Sequence, residues 1–139
     1  MATYGTINSI HFSDPMAGKN GDNKIEIEWT SDTGGDSGKV TANICEEYNV
    51  NGGRFDRLRG FITRVTTNPG TTAPTDDYDI VLNDEDGVDV MAGALANRDT
   101  ANSETVIISD PPYIDSELTL VITNAGDTKD GKITIYMAK

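Results

Sequence analysis

The sequence predicts an all-β fold: a single antiparallel β-sandwich, jelly-roll-like domain that spans residues 1–139. Three observations lead to this prediction. Apolar and polar residues alternate with a period of two in most segments, as a strand with one buried face requires. Turn-forming Gly, Pro, Asn and Asp residues separate these segments at short intervals. The 139 residues also fit one domain, since globular domains usually contain about 100–200 residues.

Four strands are predicted in the first half of the chain. They cover residues 7–12, 24–30, 39–45 and 59–66. The apolar residues of the first strand are unevenly spaced, which predicts a β-bulge. The second strand alternates most regularly, and in the fourth strand Phe61 is opposed to Ile62 and Val65. Each of these patterns predicts one face on the core and one in water.

Four further strands are predicted in the second half. They cover residues 78–83, 104–109, 117–123 and 132–137. The run from Val106 to Ile108 is β-branched without alternation, which predicts burial on both faces. The alternation predicts a core that contains Ile25, Ile27, Trp29, Ile80, Leu82, Leu118, Leu120, Ile122, Ile133 and Ile135.

Turn-forming residues predict where these strands end. Asp84–Gly87 is predicted to be a hairpin turn. Further breaks are predicted at Asp14-Pro15, Gly34-Gly35 and Gly52-Gly53. Residues 92–102 contain Ala, Leu and Arg, and a short helix there is the less favoured of two interpretations.

The charge of the chain argues against nucleic acids and membranes as partners. With 11 Lys and Arg against 23 Asp and Glu, the formal net charge is −12 at pH 7. Such a surface repels phosphate backbones and anionic lipid headgroups. The first residues lack the basic and apolar regions of a signal peptide, and no apolar run approaches the roughly 18 residues of a membrane span. These features predict a protein made in the cytoplasm.

No residue is predicted to be catalytic or to bind a cofactor or a metal. Cys45 is the only cysteine, so an intramolecular disulfide is excluded, and its apolar neighbours predict a buried thiol. His11 is the only histidine, and no second ligand accompanies it to form a zinc or iron site. The loop Asp84–Asp89 has oxygen ligands of the kind that Ca²⁺ prefers. Its spacing differs from the EF-hand loop and favours a hairpin tip, although cation binding there is left open.

The sequence does not predict an enzyme. Its acidic residues lie mostly in turns or on outward strand faces, as Glu26 and Glu28 do. Burial does not raise a carboxyl pKa at such positions for glycoside hydrolysis. Motifs for a catalytic triad, a P-loop or dinucleotide binding are also missing. A carbohydrate-binding platform needs exposed aromatic side chains, and Trp29, the one tryptophan, is predicted to point into the core.

Several segments of the chain resemble small structural proteins of tailed bacteriophages. The first is Trp29-Thr30-Ser31-Asp32 at the end of an early strand. The second is YDIVLNDEDGVDVMAGALAN, at residues 78–97. The last two are LTLVITNAG at residues 118–126 and GKITIY at residues 131–136.

The resemblance implies a virion structural protein, in particular a capsid decoration or cement protein. Such a protein is a β-sandwich that assembles as a homotrimer, binds the major capsid protein and stabilises the outer capsid surface. It is made in the host cytoplasm. The family has no catalytic motif to transfer to this chain. An acidic protein also fits a position away from packaged DNA, because its charge repels phosphates.

Two alternatives stay open, because β-sandwiches serve many functions. One is a receptor- or carbohydrate-binding β-domain of a phage tail or spike, and the other is a hydrolase on a jelly-roll scaffold. Val121 and Tyr136 occupy outward positions of predicted strands although their side chains are apolar or aromatic. They are therefore the predicted contacts with other copies of the chain or with a capsid.

Overall fold

Antiparallel strands make up most of the computed structural model, which describes residues 4–13, 23–33, 38–50 and 57–138. Within these residues the elements are β1 (Thr6–Ser13), β2 (Asn23–Thr30), β3 (Val40–Asn43), α1 (Ile44–Val50), β4 (Leu58–Pro69), β5 (Asp79–Asn83), β6 (Glu104–Ile107), β7 (Tyr113–Ser116), β8 (Thr119–Thr123) and β9 (Asp130–Ala138). The strand pairs are antiparallel. The protein is therefore an all-β, jelly-roll-like antiparallel sandwich, which confirms the predicted fold class.

The strands form two sheets of unequal size. The large sheet has the order β1-β2-β9-β4-β6, and β7 also pairs with β4. The small sheet has the order β3-β8-β5. At 12 residues, β4 is long enough to pair with β7 along its first part and with β6 along its last part. The far edge of the large sheet is thus made of two short strands.

The core lies between the two sheets. All ten side chains that the alternation predicts to be inside are at most 1% exposed. The indole of Trp29, from the large sheet, packs against the ring of Tyr78, with centroids 5.8 Å apart. Burial raises the pKa of Tyr78 to about 12. Tyr78 is therefore an uncharged core residue at neutral pH.

Two β-bulges in the described strands change which side chains face outwards. The first, between Ile7 and Ser9 in β1, confirms the bulge predicted from uneven spacing. The second lies between Ile62 and Arg64 in β4. Because it adds one residue to the strand, Ile62 and Val65 are both buried although they are three positions apart.

Two local predictions from the sequence are wrong. The strand predicted at residues 39–45 ends at Asn43, where a helix begins. The Asn43 side chain accepts a hydrogen bond from the Glu46 amide at 3.0 Å, as an N-cap does. Cys45 is therefore buried in α1 and not on a strand. Ile107 is 77% exposed, because β6 is an edge strand with one outward face.

The turn predicted at Asp84–Gly87 is present in the structure. Asp84 begins a tight turn, in which its carbonyl accepts a hydrogen bond from Gly87 N at 3.0 Å. Residues 92–102 contain turns and no helix. The breaks predicted at Asp14-Pro15, Gly34-Gly35 and Gly52-Gly53 lie outside the described residues. In the described part of the chain, no helix is long and apolar enough to cross a membrane.

Candidate binding face

The outer face of the large sheet, defined as the outward side chains of β1, β2, β4, β6, β7 and β9, is the best candidate for a functional surface. Paired residues on neighbouring strands lie close together, so these side chains form rows across the sheet. One row contains Tyr113 and Phe61. The next contains Ile107, Arg64, Tyr136 and Lys24. A third contains Thr105, Thr66, Thr134, Glu26 and His11.

Three aromatic side chains, Phe61, Tyr113 and Tyr136, form an aromatic patch on this face. Phe61 is 39% exposed and Tyr113 is 59% exposed. Their ring centroids are 5.1 Å apart with an interplanar angle of 64°, the edge-to-face geometry that aromatic pairs favour. Ile107 extends the apolar surface beside Arg64. Exposed apolar surface gathered in one place marks a contact site more often than scattered residues do.

Arg64 lies over the ring of Tyr136, with its guanidinium carbon 4.0 Å from the ring centroid. The ring face attracts the cation, so the contact orients the arginine against the sheet. Arg64 is exposed. Within the described ranges it makes no ion pair with a carboxylate. Its donors are available to a ligand.

Charged residues border the aromatic patch on the β7 side. Asp115 accepts hydrogen bonds from Nε of Arg57 at 2.9 Å and from Nε of Arg59 at 3.2 Å. Arg57 also contacts Glu85 at 3.2 Å. A depression of about 240 Å³ lies beside Tyr113 and is lined by carboxylates that include Glu85 and Asp115. This border supplies both donors and acceptors of hydrogen bonds.

Polar side chains cover the rest of the face. The hydroxyls of Thr66 and Thr105 are 3.0 Å apart. Glu26 pairs with Lys132 at 3.0 Å and with Lys24 at 3.1 Å. Hydrogen bonds from the two lysines lower the pKa of the Glu26 carboxyl, and the bond from Lys132 has the larger effect. A second depression, of about 450 Å³, is lined mainly by polar residues that include Glu28 and Lys132.

The two predicted contact residues are not brought together. Tyr136 lies in the aromatic patch, whereas Val121 is on β8 of the small sheet. There it points away from the core, paired with Thr41 on one side and Val81 on the other. The two residues therefore occupy opposite outer faces of the sandwich.

Sequence reasoning missed Phe61, Tyr113 and Arg64 as site residues. One signal was available: Phe61 is opposed to two buried residues and must face outwards. The other signals were weak, because Tyr113 follows two prolines in a strand of only four residues. Its neighbours in the patch come from β4 and β9, and the strand order that joins them cannot be read from the alternation.

The residues first considered for metal binding have other roles in the structure. His11 is exposed on β1 opposite Glu26. Asp84 Oδ1 accepts hydrogen bonds from the amides of Asp86 at 2.9 Å and Val88 at 3.0 Å. Asp89 likewise binds three backbone amides through its two oxygens. Across the residues with described positions, no group of three or more His, Cys, Asp or Glu side chains is arranged to hold a metal.

Comparisons with known proteins give only distant similarities. No protein-family model matches the sequence, and no curated protein gives a significant match. A low-affinity xylan-binding module, CBM86, from Roseburia intestinalis is 12% identical with a TM-score of 0.41, covering 96% of this chain and 86% of its own. CBM27-1 of Caldicellulosiruptor saccharolyticus, solved with mannohexaose, is 9% identical with a TM-score of 0.41, covering 95% and 83%.

A third similar structure is a sugar phosphate isomerase of the cupin superfamily from Silicibacter pomeroyi. It is 8% identical with a TM-score of 0.33, covering 100% of this chain and 71% of its own. These similarities are too low to assign the chain to a family.

Proposed function

We propose that the protein binds carbohydrate on the outer face of its large sheet and has no catalytic activity of its own. The observation that carries this proposal is the aromatic patch of Phe61, Tyr113 and Tyr136. The rings of Phe61 and Tyr113 are exposed on the sheet surface, where the side chains of a β-strand are otherwise polar, and the Tyr136 ring lies beside them under Arg64.

The patch suits a sugar because of the two kinds of surface that a sugar ring presents. Its faces carry C–H groups that pack against aromatic rings, and its edge carries hydroxyls that need hydrogen-bond partners. Phe61 and Tyr113 offer exposed rings, and the Tyr136 ring supports Arg64. Arg64 offers donors, and Asp115 accepts hydrogen bonds at the border of the patch.

The shape of the face favours an extended chain over a small enclosed ligand. Small-molecule sites are usually deep clefts that bury most of the ligand. Here the aromatic patch continues along β9 into the polar depression at Lys132, four residues from Tyr136. At about 3.3 Å per residue this is roughly 13 Å, the length of two to three linked sugars.

Affinity electrophoresis tests the proposal, and the net charge of −12 makes the protein migrate well in native gels. The gels contain dissolved β-glucan, xylan, mannan or polygalacturonate. We expect at least one polysaccharide to retard the protein. Tyr113→Ala should weaken binding roughly tenfold, because it removes an exposed ring from the contact. Tyr136→Ala should also weaken binding, because Arg64 loses the ring that orients it. Val121→Ala, on the other outer face, is the control and should bind as the wild type does.

Two results would overturn this proposal. One is migration that none of the four polysaccharides changes. The other is retardation that survives both tyrosine substitutions, since binding would then involve a different surface. Circular dichroism of each variant ensures that a loss of binding is not a loss of fold.

A second candidate function is the virion structural protein that the sequence resemblance implies. Its supporting observation is that Tyr136, a predicted contact, lies in the aromatic patch together with Arg64. Tyr and Arg are both enriched at protein–protein contacts. Under this proposal the chain is a homotrimer on the outer capsid surface. Co-sedimentation with purified empty capsids tests it, and a protein that stays in the supernatant would contradict it.

A further inference from the structure

We propose that the carbohydrate bound by this face is an acidic polysaccharide that carries carboxylate groups, and that Arg64 binds the carboxylate. The inference rests on the proposed carbohydrate-binding function and adds the substrate class and the residue that selects it.

The first step is the contrast between Arg64 and the other cations of the outer face. Lys24 and Lys132 both pair with Glu26. Arg57 and Arg59 both pair with Asp115. Arg64 is exposed, and it makes no ion pair within the described part of the chain. This is notable because the sequence as a whole has more than twice as many acidic as basic residues. Arg64, which lies on the aromatic patch, is therefore a cation whose charge no carboxylate neutralises.

The second step is the orientation of that cation. The guanidinium carbon lies 4.0 Å from the Tyr136 ring centroid, and a guanidinium stacked on an aromatic ring keeps the N–H groups at its edge free to donate hydrogen bonds. A planar guanidinium donates two parallel hydrogen bonds to a carboxylate, and such charge-assisted bonds are stronger than neutral ones. A uronate stacked on the exposed rings of Phe61 and Tyr113 would present its carboxylate to the neighbouring Arg64.

The third step is that the face should recognise carboxylates specifically and should not attract every anion. The net charge of −12 repels any polyanion at long range. Binding therefore depends on a short-range contact, and in 0.15 M salt the long-range repulsion is screened beyond about 8 Å. Dextran sulfate tests the distinction, because it carries anionic groups that a guanidinium can also bind but has no carboxylate on its sugar rings.

The experiment compares polygalacturonate with its fully methyl-esterified form in 0.15 M NaCl, by affinity electrophoresis and isothermal titration calorimetry. The two polymers share a backbone and differ in whether the carboxyl group is charged. We expect the acid form to bind roughly tenfold more tightly. Arg64→Gln should bind both forms equally, at the affinity that the wild type shows for the ester.

Lys39→Gln is the matched control. It removes the same charge from a cation that also lies over a tyrosine, with Nζ 5.5 Å from the Tyr4 ring centroid, but it is not on the outer face. It should keep the preference for the acid form. Dextran sulfate and dextran form the last pair of probes, and neither should compete with polygalacturonate.

The outcomes separate this inference from the proposed function. Equal binding of both galacturonans by the wild type would overturn the inference and leave carbohydrate binding in place. A preference that persists in Arg64→Gln would overturn the assignment to Arg64. Competition by dextran sulfate would show general anion binding and contradict carboxylate selection. Failure to bind either galacturonan would overturn the inference, whereas failure of the whole polysaccharide panel would overturn both proposals.

Discussion

At the scale of single residues, Gly131 shows how closely the backbone approaches the core. A Cβ atom at this position would lie 2.3 Å from Cζ2 of Trp29 and 2.7 Å from its Cε2. Both atoms belong to the benzene part of an indole that is fully buried. Because packed interiors do not yield easily, the strand at Gly131 requires a residue without a side chain.

We predict that Gly131→Ala lowers the free energy of unfolding by about 1–3 kcal/mol, the usual cost of overpacking. Urea denaturation measures the change. A double-mutant cycle with Trp29→Phe provides the control, because phenylalanine lacks the atoms that the methyl group would meet. Gly131→Ala should cost less in the Trp29→Phe background. An equal cost in both backgrounds would mean that the clash with Trp29 is not the cause.

The Glu26 carboxylate predicts a pH dependence of stability at the same scale. Hydrogen bonds from Lys132 and Lys24 lower its pKa below the ordinary 4.5 in the folded state. The ionised form therefore stabilises the fold above about pH 4.5, and this contribution disappears as the pH falls through the lowered pKa. Glu26→Gln should be less stable than the wild type by about 0.5 kcal/mol at pH 7, and this difference should be smaller at pH 3.

Urea denaturation at the two pH values checks this prediction for Glu26. Glu28→Gln is the comparison. Glu28 is on the same face of β2 as Glu26, but its carboxylate makes no ion pair with the described residues. A Glu26→Gln deficit of the same size at both pH values would contradict the electrostatic explanation.

At the scale of elements, β8 shows how one strand separates the core from the surface. Leu120 is fully buried between β3 and β5, while its neighbour Val121 lies on the outer face of the small sheet. The period-two geometry of a strand places successive side chains on opposite faces. A substitution at each position therefore probes a different side of the same strand.

Leu120→Ala should lower the free energy of unfolding by about 2–5 kcal/mol, because it loses buried apolar surface and leaves a cavity. Val121→Ala should change it by less than about 1 kcal/mol, since the side chain is only partly buried. Thermal and urea denaturation measure both. Similar costs at the two positions would contradict the assignment of Val121 to an outer face.

The sequence predicts the elements better than it predicts the site. Strands with regular alternation, such as β2 and β9, are placed correctly because burial on one face determines their pattern. The helix α1 was missed, since Val40, Ala42 and Ile44 alternate as in a strand until the Asn43 cap redirects the chain. Of the aromatic patch, Tyr136 was identified, whereas Phe61 and Tyr113 meet only through a strand order that short, local patterns do not encode.

At the scale of the whole molecule, the two outer faces of the sandwich constrain how copies could assemble. A cyclic trimer is head-to-tail, so each subunit uses two different surfaces that are inclined to each other. Val121 and Tyr136 lie on opposite faces, and contacts through both would stack subunits into an open array. If a trimer forms, we therefore expect at most one of Val121→Asp and Tyr136→Asp to dissociate it in sedimentation velocity runs. Dissociation by both would contradict this geometry.

Carbohydrate binding on the outer face of the large sheet is tested most directly by chemical-shift mapping. The ¹⁵N-labelled protein is titrated with trigalacturonate and, in a parallel sample, with the neutral cellohexaose. Binding on this face predicts shift changes that cluster at Phe61, Arg64, Tyr113 and Tyr136, with Val121 unaffected. Changes centred on the small sheet around Val121, or no changes with either oligosaccharide, would contradict it.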